Sequence, residues 1–163
     1  MIETGASEDE AIAALLHDAA EDQGGRETLE RIRAEFGEPV AEIVESCSDS
    51  LGEPKPPWQE RKRAYLEHLE EEASEPALHV SLADKLHNVR TIVVDYRDLG
   101  EALWERFNAE RDQVLAYYRA LAGIFSRRMP GALATELSET VAELDALVAA
   151  VSPASANAKN QGM

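Results

Sequence analysis

The residues best suited to chemistry lie in one short stretch near the start of the sequence. An apolar run that begins at Ala11 is followed by His17, Asp18, Glu21 and Asp22. In a helix that turns about 100° per residue, these four polar side chains fit within an arc of roughly 140°. One turn of helix would then carry an imidazole and three carboxylates, which are groups that bind divalent metal ions.

A second polar group lies on a later segment, 77–96, which is otherwise apolar on most sides. Asp84, Asn88, Thr91 and Asp95 recur there at helical spacing and form a stripe within about 40° of arc. Because a helix that is apolar nearly all round is buried, the stripe predicts a cavity or a polar wall. A solvent-facing edge is the ordinary alternative.

Together the two segments predict one metal site. An imidazole followed by a carboxylate, with a second carboxylate from a distant helix, suits a divalent ion that keeps positions open for water and a phosphate. His17, Asp18 and Asp84 would supply these ligands. Glu21 and Asp22, one turn further on, are placed to hold or deprotonate a metal-bound water.

The composition argues against several kinds of partner. The 163 residues include 16 basic and 32 acidic side chains, a formal charge of −16, which repels phosphate backbones and anionic membranes. We therefore expect no nucleic-acid or membrane partner, whereas a phosphorylated small molecule would need a metal ion to offset the repulsion.

The single cysteine, Cys47, excludes an internal disulfide and is expected to be buried. Without a recognisable signal peptide or membrane span, the protein is expected in the cytoplasm.

Helical periodicity runs through the sequence without an alternating pattern of strands, which predicts an all-α fold. Ser7 and Glu10 form a capping box for a first helix that reaches about Asp22. The side of this helix expected to be apolar consists of Ile12, Leu15, Leu16, Ala19 and Ala20. Further helices are predicted up to Phe36, from Pro39 to Cys47, and over 58–73, 77–96, 101–128 and 133–151. We expect one domain over 1–151 and a disordered tail over 152–163.

The loop 48–57 and the start of the next helix hold the one concentration of basic residues. Lys55, Arg61, Lys62 and Arg63 cluster there in an otherwise acidic sequence. This cluster could attract a phosphate, although a solvated helix start is the more ordinary interpretation. His68 and His79 are expected on helix surfaces.

Two motifs, Leu-Leu-His-Asp-Ala-Ala-Glu-Asp (15–22) and Ser-Leu-Ala-Asp-Lys-Leu-His-Asn-Val-Arg-Thr (81–91), are similar to a known pair. They resemble the His-Asp-x-x-Glu-Asp and Leu-Ala-Asp-Lys/Arg-Leu-His-Asn-x-Arg-Thr motifs of HD-domain phosphohydrolases. The resemblance is to the hydrolase domain of RelA/SpoT-type (p)ppGpp enzymes and their small stand-alone relatives. It implies an HD-domain helical bundle that removes pyrophosphate from a small nucleotide such as ppGpp with the help of a metal, usually manganese (Mn²⁺).

The resemblance also implies roles for individual residues. The positions that match are the metal ligands His17, Asp18 and Asp84, the catalytic pair Glu21 and Asp22, and the substrate-binding residues Lys85, Asn88 and Thr91.

One part of the family pattern has no counterpart in this sequence. The family has a further histidine ligand, and basic residues that hold the nucleotide, on helices upstream of the His-Asp motif, but no histidine precedes His17 here. We therefore expect a bundle that lacks its first helices, which puts the activity of this chain in question. The alternatives are a degenerate, non-catalytic nucleotide-binding or interaction module and a phosphohydrolase of another nucleotide. The apolar faces that missing helices would cover, on 8–22 and 77–96, predict a homodimer.

Overall fold

The computed structural model describes residues 5–52 and 54–151, and its regular elements are all helices. The α-helices are α1 (Glu8–Leu16), α2 (Ala19–Asp22), α3 (Arg26–Phe36), α4 (Glu38–Cys47), α5 (Trp58–Glu71), α6 (Glu75–Leu99), α7 (Arg111–Arg128) and α8 (Ala132–Val151). A 3₁₀ helix, Gly100–Arg106, lies between α6 and α7. No strand occurs in the described part of the chain, and the predicted all-α fold is confirmed. The expected tail, 152–163, lies outside the described residues.

The helices form two hydrophobic clusters that meet along α6. The N-terminal cluster is formed by α1 to α4 and includes Ala13, Leu29 and Val44, together with Val80 of α6. The C-terminal core is formed by α5 to α8, and its fully buried residues include Leu137. Because α6 is 25 residues long and contributes to both clusters, it carries its polar side chains to the junction between them.

Capping fixes where α1 and α6 begin. The hydroxyl of Ser7 accepts a hydrogen bond from the backbone N–H of Glu10 (3.3 Å), and the Glu10 carboxylate accepts one from the N–H of Ser7 (2.7 Å). This is the predicted capping box. At α6, the hydroxyl of Ser74 accepts a hydrogen bond from the N–H of Ala77, and Pro76 lies in the first turn, where its missing N–H costs nothing.

The first helix is interrupted, which corrects the expectation of one helix up to Asp22. α1 ends at Leu16, and α2 begins only at Ala19. Between them His17 donates its Nδ1–H to the carbonyl oxygen of Ala14 (2.8 Å), and Asp18 has φ −90° and ψ −11°, at the edge of the helical region. The break therefore falls at the His-Asp pair itself.

The burial of α1 also differs from the expectation. Ala13 is fully buried, while the side chain of Leu15, which was expected on the apolar side, is 86% exposed. The helix turns about 200° between these two residues, so only one of them can face α4 and α6. Placing Leu15 on the buried side was wrong, because the buried face is centred on Ala13.

The expected helix 101–128 is also divided. The chain forms the 3₁₀ helix up to Arg106, continues with an extended Phe107 (φ −97°, ψ 146°), and starts α7 only at Arg111. Glu110 and Gln113 form a capping box there, which supplies hydrogen bonds for the new helix start. A single helix over 101–128 was therefore wrong.

Several side-chain expectations can be compared with the packing. Cys47 is buried, as predicted. His68 and His79 are not simple surface residues, because the Nε2 of His68 lies 2.6 Å from the Ser46 hydroxyl and the Nδ1 of His79 lies 2.8 Å from a Glu10 oxygen.

The expectation of a large uncovered apolar face on 77–96 was wrong, since α8 and α7 pack on α6. The large hydrophobic residues that α6 leaves exposed in the described structure are Val94 and Leu99.

None of the described helices is both long enough and apolar enough to cross a membrane.

Candidate metal centre

The break after α1 brings His17 and Asp18 against Asp84 of α6. The Nε2 atom of His17 lies 3.1 Å from the Oδ2 atom of Asp18 and 3.2 Å from the Oδ1 atom of Asp84. The three residues that were predicted as metal ligands therefore converge, and we call them the metal wall.

The His17 ring is oriented by its other nitrogen. Because Nδ1–H donates to the Ala14 carbonyl, a neutral imidazole would present Nε2 with a free lone pair. Nε2 is buried and has no hydrogen-bond partner among the described residues, so the two carboxylates lie near it without making well-directed hydrogen bonds. Their negative charges, first that of Asp18 and then that of Asp84, raise the pKa of His17 to about 10. A proton and a metal ion would therefore compete for this atom.

The metal wall can be tested against the geometry of metal sites. Ligand atoms that each lie about 2.1 Å from one ion, at angles near 90° to 100°, are about 3.0 to 3.2 Å apart, which matches the two measured separations. Nevertheless, no group of three or more His, Cys, Asp and Glu side chains in the described residues is arranged so that it could hold a metal ion as it stands. The donor set and the orphaned nitrogen are compatible with a divalent ion, whereas a completed coordination shell is not present.

Asp84 has two further partners on its own helix. Its Oδ2 atom accepts a hydrogen bond from the Lys85 ammonium (2.6 Å), and its Oδ1 atom accepts one from the Asn88 amide (2.9 Å). Burial acts to raise the pKa of Asp84, but His17 and Lys85 outweigh it and hold that pKa well below its usual range. Asp84 is therefore a carboxylate at neutral pH, as a metal ligand must be.

A cavity of about 210 Å³ opens beside the metal wall. It is lined by Asp18, Glu21, Asp22, Cys47, Asp49, Lys62, Tyr65, Asp84, Lys85 and Asn88. A larger hollow of about 960 Å³ lies around the 3₁₀ helix, between Trp104 and Gln113. The smaller cavity is the better candidate because two of the three predicted ligands, Asp18 and Asp84, and both predicted acid–base groups line it.

The residues predicted to bind substrate are only partly brought together. Lys85 and Asn88 line the cavity, and the Lys85 ammonium also lies 5.3 Å from the centre of the Tyr65 ring. Thr91 is exposed, donates a hydrogen bond to the carbonyl of His87 and is not among the lining residues. The polar stripe therefore faces the cavity over its first turn only.

The two predicted catalytic carboxylates also differ. Asp22 is exposed, while Glu21 is partly buried and accepts a hydrogen bond from the backbone N–H of Asp49 (3.3 Å). Burial, and then the neighbouring Asp49 carboxylate, raise the pKa of Glu21 above its usual range. A raised pKa makes Glu21 a better proton acceptor than an ordinary carboxylate.

Asp49 is the main residue of the site that the sequence patterns did not indicate. Its carboxylate is only 4% exposed and lies 2.5 Å from Arg61 Nη1 and 2.6 Å from Lys62 Nζ. Burial acts to raise the pKa of Asp49, but the positive charges of Lys62 and Arg61 outweigh it and lower that pKa to about 2. The sequence feature that could have indicated Asp49 was the basic cluster, because clustered positive charges are expected to pair with a nearby carboxylate.

The loop that carries Asp49 makes a close backbone contact with the turn between α2 and α3. Gly25 has a positive φ of 57°, and a Cβ atom added there would lie 2.7 Å from the carbonyl oxygen of Leu51. Only glycine accommodates both this φ and this approach without strain. The contact keeps the loop next to Glu21, so the Gly24-Gly25 pair matters for the site and not just for ending a helix.

Comparisons with known proteins agree with this fold. An HD domain family (HD_4) matches residues 1–115, which is most of the chain, and the chain belongs to that family.

Two curated relatives are named guanosine-3′,5′-bis(diphosphate) 3′-pyrophosphohydrolase MESH1. The one from Xenopus tropicalis is 45% identical over 80 residues, covering 49% of this chain and 41% of the relative. The one from Danio rerio is 40% identical over 101 residues, covering 62% of this chain and 49% of the relative. The chain thus spans less than half the length of these relatives.

A solved structure has the same fold over most of its length. The crystal structure of lmo0812 from Listeria monocytogenes EGD-e is similar with a TM-score of 0.74 and 26% sequence identity, covering 87% of this chain and 91% of that chain.

Proposed function

We propose that this HD-domain protein is a metal-dependent phosphohydrolase that removes the 3′-pyrophosphate of a guanosine bis(diphosphate) such as ppGpp. The observation that carries the proposal is the metal wall, where a buried, unpaired imidazole nitrogen lies about 3 Å from two carboxylates of separate chain segments. The named activity of the two MESH1 relatives supports the choice of substrate.

In this proposal His17, Asp18 and Asp84 hold the ion, for which Mn²⁺ is the expected metal. When bound, such an ion polarises a phosphoryl oxygen and lowers the pKa of water. Glu21 accepts the proton of the attacking water, and Asp22 assists from the cavity mouth. Lys85 and Asn88 hold Asp84 in place and face the substrate, while Thr91 contacts the nucleotide further out.

The test is incubation of the chain with ppGpp and Mn²⁺, followed by anion-exchange separation of the products. We expect GDP and pyrophosphate, and no products when the metal is chelated. GTP and ATP in parallel reactions test the alternative of another nucleotide. Tight binding of ppGpp without turnover would favour the alternative of a non-catalytic nucleotide-binding module.

Assembly and location remain predictions. Leu15 is exposed, and its neighbour in the sequence, Ala14, lines a groove of about 320 Å³ together with Val80, Ala83 and the proposed metal ligands His17 and Asp84. A second copy of the chain that covered this groove would form a homodimer and exclude water from one side of the metal wall. We expect the protein to act in the cytoplasm.

A further inference from the structure

Two of the four clustered basic residues lie next to Glu21, and a third lines the same cavity. The Lys55 ammonium is 3.3 Å from the Oε1 atom of Glu21, and Arg61 Nη1 is 3.7 Å from the same oxygen. Lys62 lines the cavity, and its ammonium lies 5.3 Å from the centre of the Tyr117 ring. We call Lys55, Arg61 and Lys62 the cation wall.

The two carboxylates that face the cation wall, Asp49 and Glu21, differ in how closely they contact it. Asp49 is nearly fully buried and contacts Arg61 and Lys62 at 2.5 and 2.6 Å. The contacts of Glu21 with Lys55 and Arg61, at 3.3 and 3.7 Å, are longer than those of a close charge-assisted hydrogen bond. Asp49 is therefore the fixed partner of the cation wall and Glu21 the replaceable one.

A count of the charges also distinguishes Asp49 from Glu21. Three cations face Asp49 and Glu21, and without Glu21 they exceed the remaining carboxylate by two positive charges. A phosphate group carries up to two negative charges and accepts several hydrogen bonds from Lys and Arg. The cation wall without Glu21 thus matches a phosphate group in charge and in donors.

We propose that Lys55, Arg61 and Lys62 bind a phosphate group of the substrate, that Asp49 positions them, and that Glu21 occupies their site until the phosphate arrives. The inference rests on the proposed function only in taking the phosphate to be part of a nucleotide. Phosphate binding would transfer Lys55 and Arg61 from Glu21 to the ligand. Glu21, which lines the same cavity as Asp18 and Asp84, would then be released for the chemical step.

The test is the binding of inorganic pyrophosphate, measured by titration calorimetry on the full chain in metal-free buffer. Lys55→Met should weaken binding about tenfold, because one charge-assisted contact is lost. Glu21→Gln should strengthen binding several-fold, because the competing carboxylate is removed. In the variant that combines Lys55→Met with Glu21→Gln, the gain in binding from Glu21→Gln should disappear, because Glu21 competes mainly for Lys55. A double-mutant cycle measures this coupling.

Two controls separate this mechanism from a general charge effect. Asp22→Asn removes the same charge from the same cavity, so its effect should be smaller than that of Glu21→Gln and should persist when Lys55 is Met. Arg63→Met removes an exposed cation of the same cluster and should change binding less than twofold. Thermal unfolding checks that every variant is folded.

The outcomes distinguish this inference from the proposed function. Pyrophosphate binding with the expected coupling, in a chain that does not hydrolyse ppGpp, would support the phosphate site and refute the proposed activity. Hydrolysis of ppGpp together with additive effects of Glu21→Gln and Lys55→Met would overturn the inference and leave the activity in place. Absence of pyrophosphate binding to the wild-type chain would also overturn it.

Discussion

The metal wall and the cation wall both contribute to the same cavity, through Asp18 and Asp84 in one and Lys62 in the other, but they are built in different ways. The metal wall comes from the break between α1 and α2 and from α6, and the Nε2 atom of His17 has no hydrogen-bond partner within the described part of the chain. In the cation wall the charges of Arg61 and Lys62 are matched by the buried Asp49. Under the two proposals above, one wall would bind a metal ion and the other a phosphate group.

The largest expected effect comes from the metal wall. Asp18→Asn should lower ppGpp turnover by about 1000-fold or more, because a ligand of the activating ion is lost. The Asp18 side chain is 68% exposed, so the free energy of unfolding should change by no more than about 0.5 kcal/mol. Hydrolysis assays and urea unfolding on the same preparation measure both quantities, and turnover near that of the wild type would remove Asp18 from the metal wall.

Glu21→Gln should have the next largest effect and should separate chemistry from metal binding. Loss of a general base typically costs about 100- to 10,000-fold in rate, so turnover should fall within that range at unchanged Mn²⁺ affinity. The measurements are steady-state kinetics and a metal titration. A large drop in Mn²⁺ affinity would instead show that Glu21 is a ligand and belongs to the metal wall.

Asp49→Asn tests the cation wall through stability. The variant leaves Arg61 and Lys62 without their buried carboxylate, so we expect a loss of about 2 to 3 kcal/mol in the free energy of unfolding at pH 7. Lys62→Met is a useful comparison because it leaves Asp49 with Arg61. Equal stability of Asp49→Asn and the wild type would mean that the ion pairs do not organise this wall.

The same variant should change the dependence of stability on pH. The folded pKa of Asp49 is lowered to about 2 from an ordinary 3.8, so its stabilising effect is complete above the unfolded pKa and is lost as the pH falls through the folded one. The stability difference between wild type and Asp49→Asn should therefore shrink from about pH 4 towards pH 2. A difference that grew on acidification would contradict the lowered pKa.

The smallest effect is expected at Leu15, next to the metal wall. Because its side chain is 86% exposed, Leu15→Ala should change the unfolding free energy by about 0.5 kcal/mol or less. Leu137→Ala, at a fully buried position, should cost about 2 to 5 kcal/mol.

If Leu15 lies in a homodimer interface, light scattering should show weaker self-association of Leu15→Ala, and a monomeric wild type at micromolar concentration would exclude that interface.

The metal wall could be predicted because local spacing determines most of it. His17 and Asp18 are neighbours in sequence, and helical periodicity placed Asp84 and Asn88 on one side of α6. The break between α1 and α2 could not be predicted, since an apolar pattern that continues at helical spacing does not reveal a hydrogen bond from His17 to Ala14.

The cation wall was only partly predictable. The sequence showed that Lys55, Arg61 and Lys62 are close along the chain, but not that Asp49 lies between two of them, because a loop without periodicity does not indicate its own path. That path depends on the contact between Gly25 and Leu51, two residues far apart in sequence. Thr91 shows the opposite case, since its spacing suggested the cavity but the side chain lies outside its lining.

The central claim is that His17, Asp18 and Asp84 bind one divalent ion, and a direct Mn²⁺ titration followed by electron paramagnetic resonance tests it. At pH 7.5 the wild-type chain should bind one equivalent of Mn²⁺, and Asp84→Asn should bind it at least about 100-fold more weakly. Equal binding by the two proteins, or no binding by either, would contradict the account.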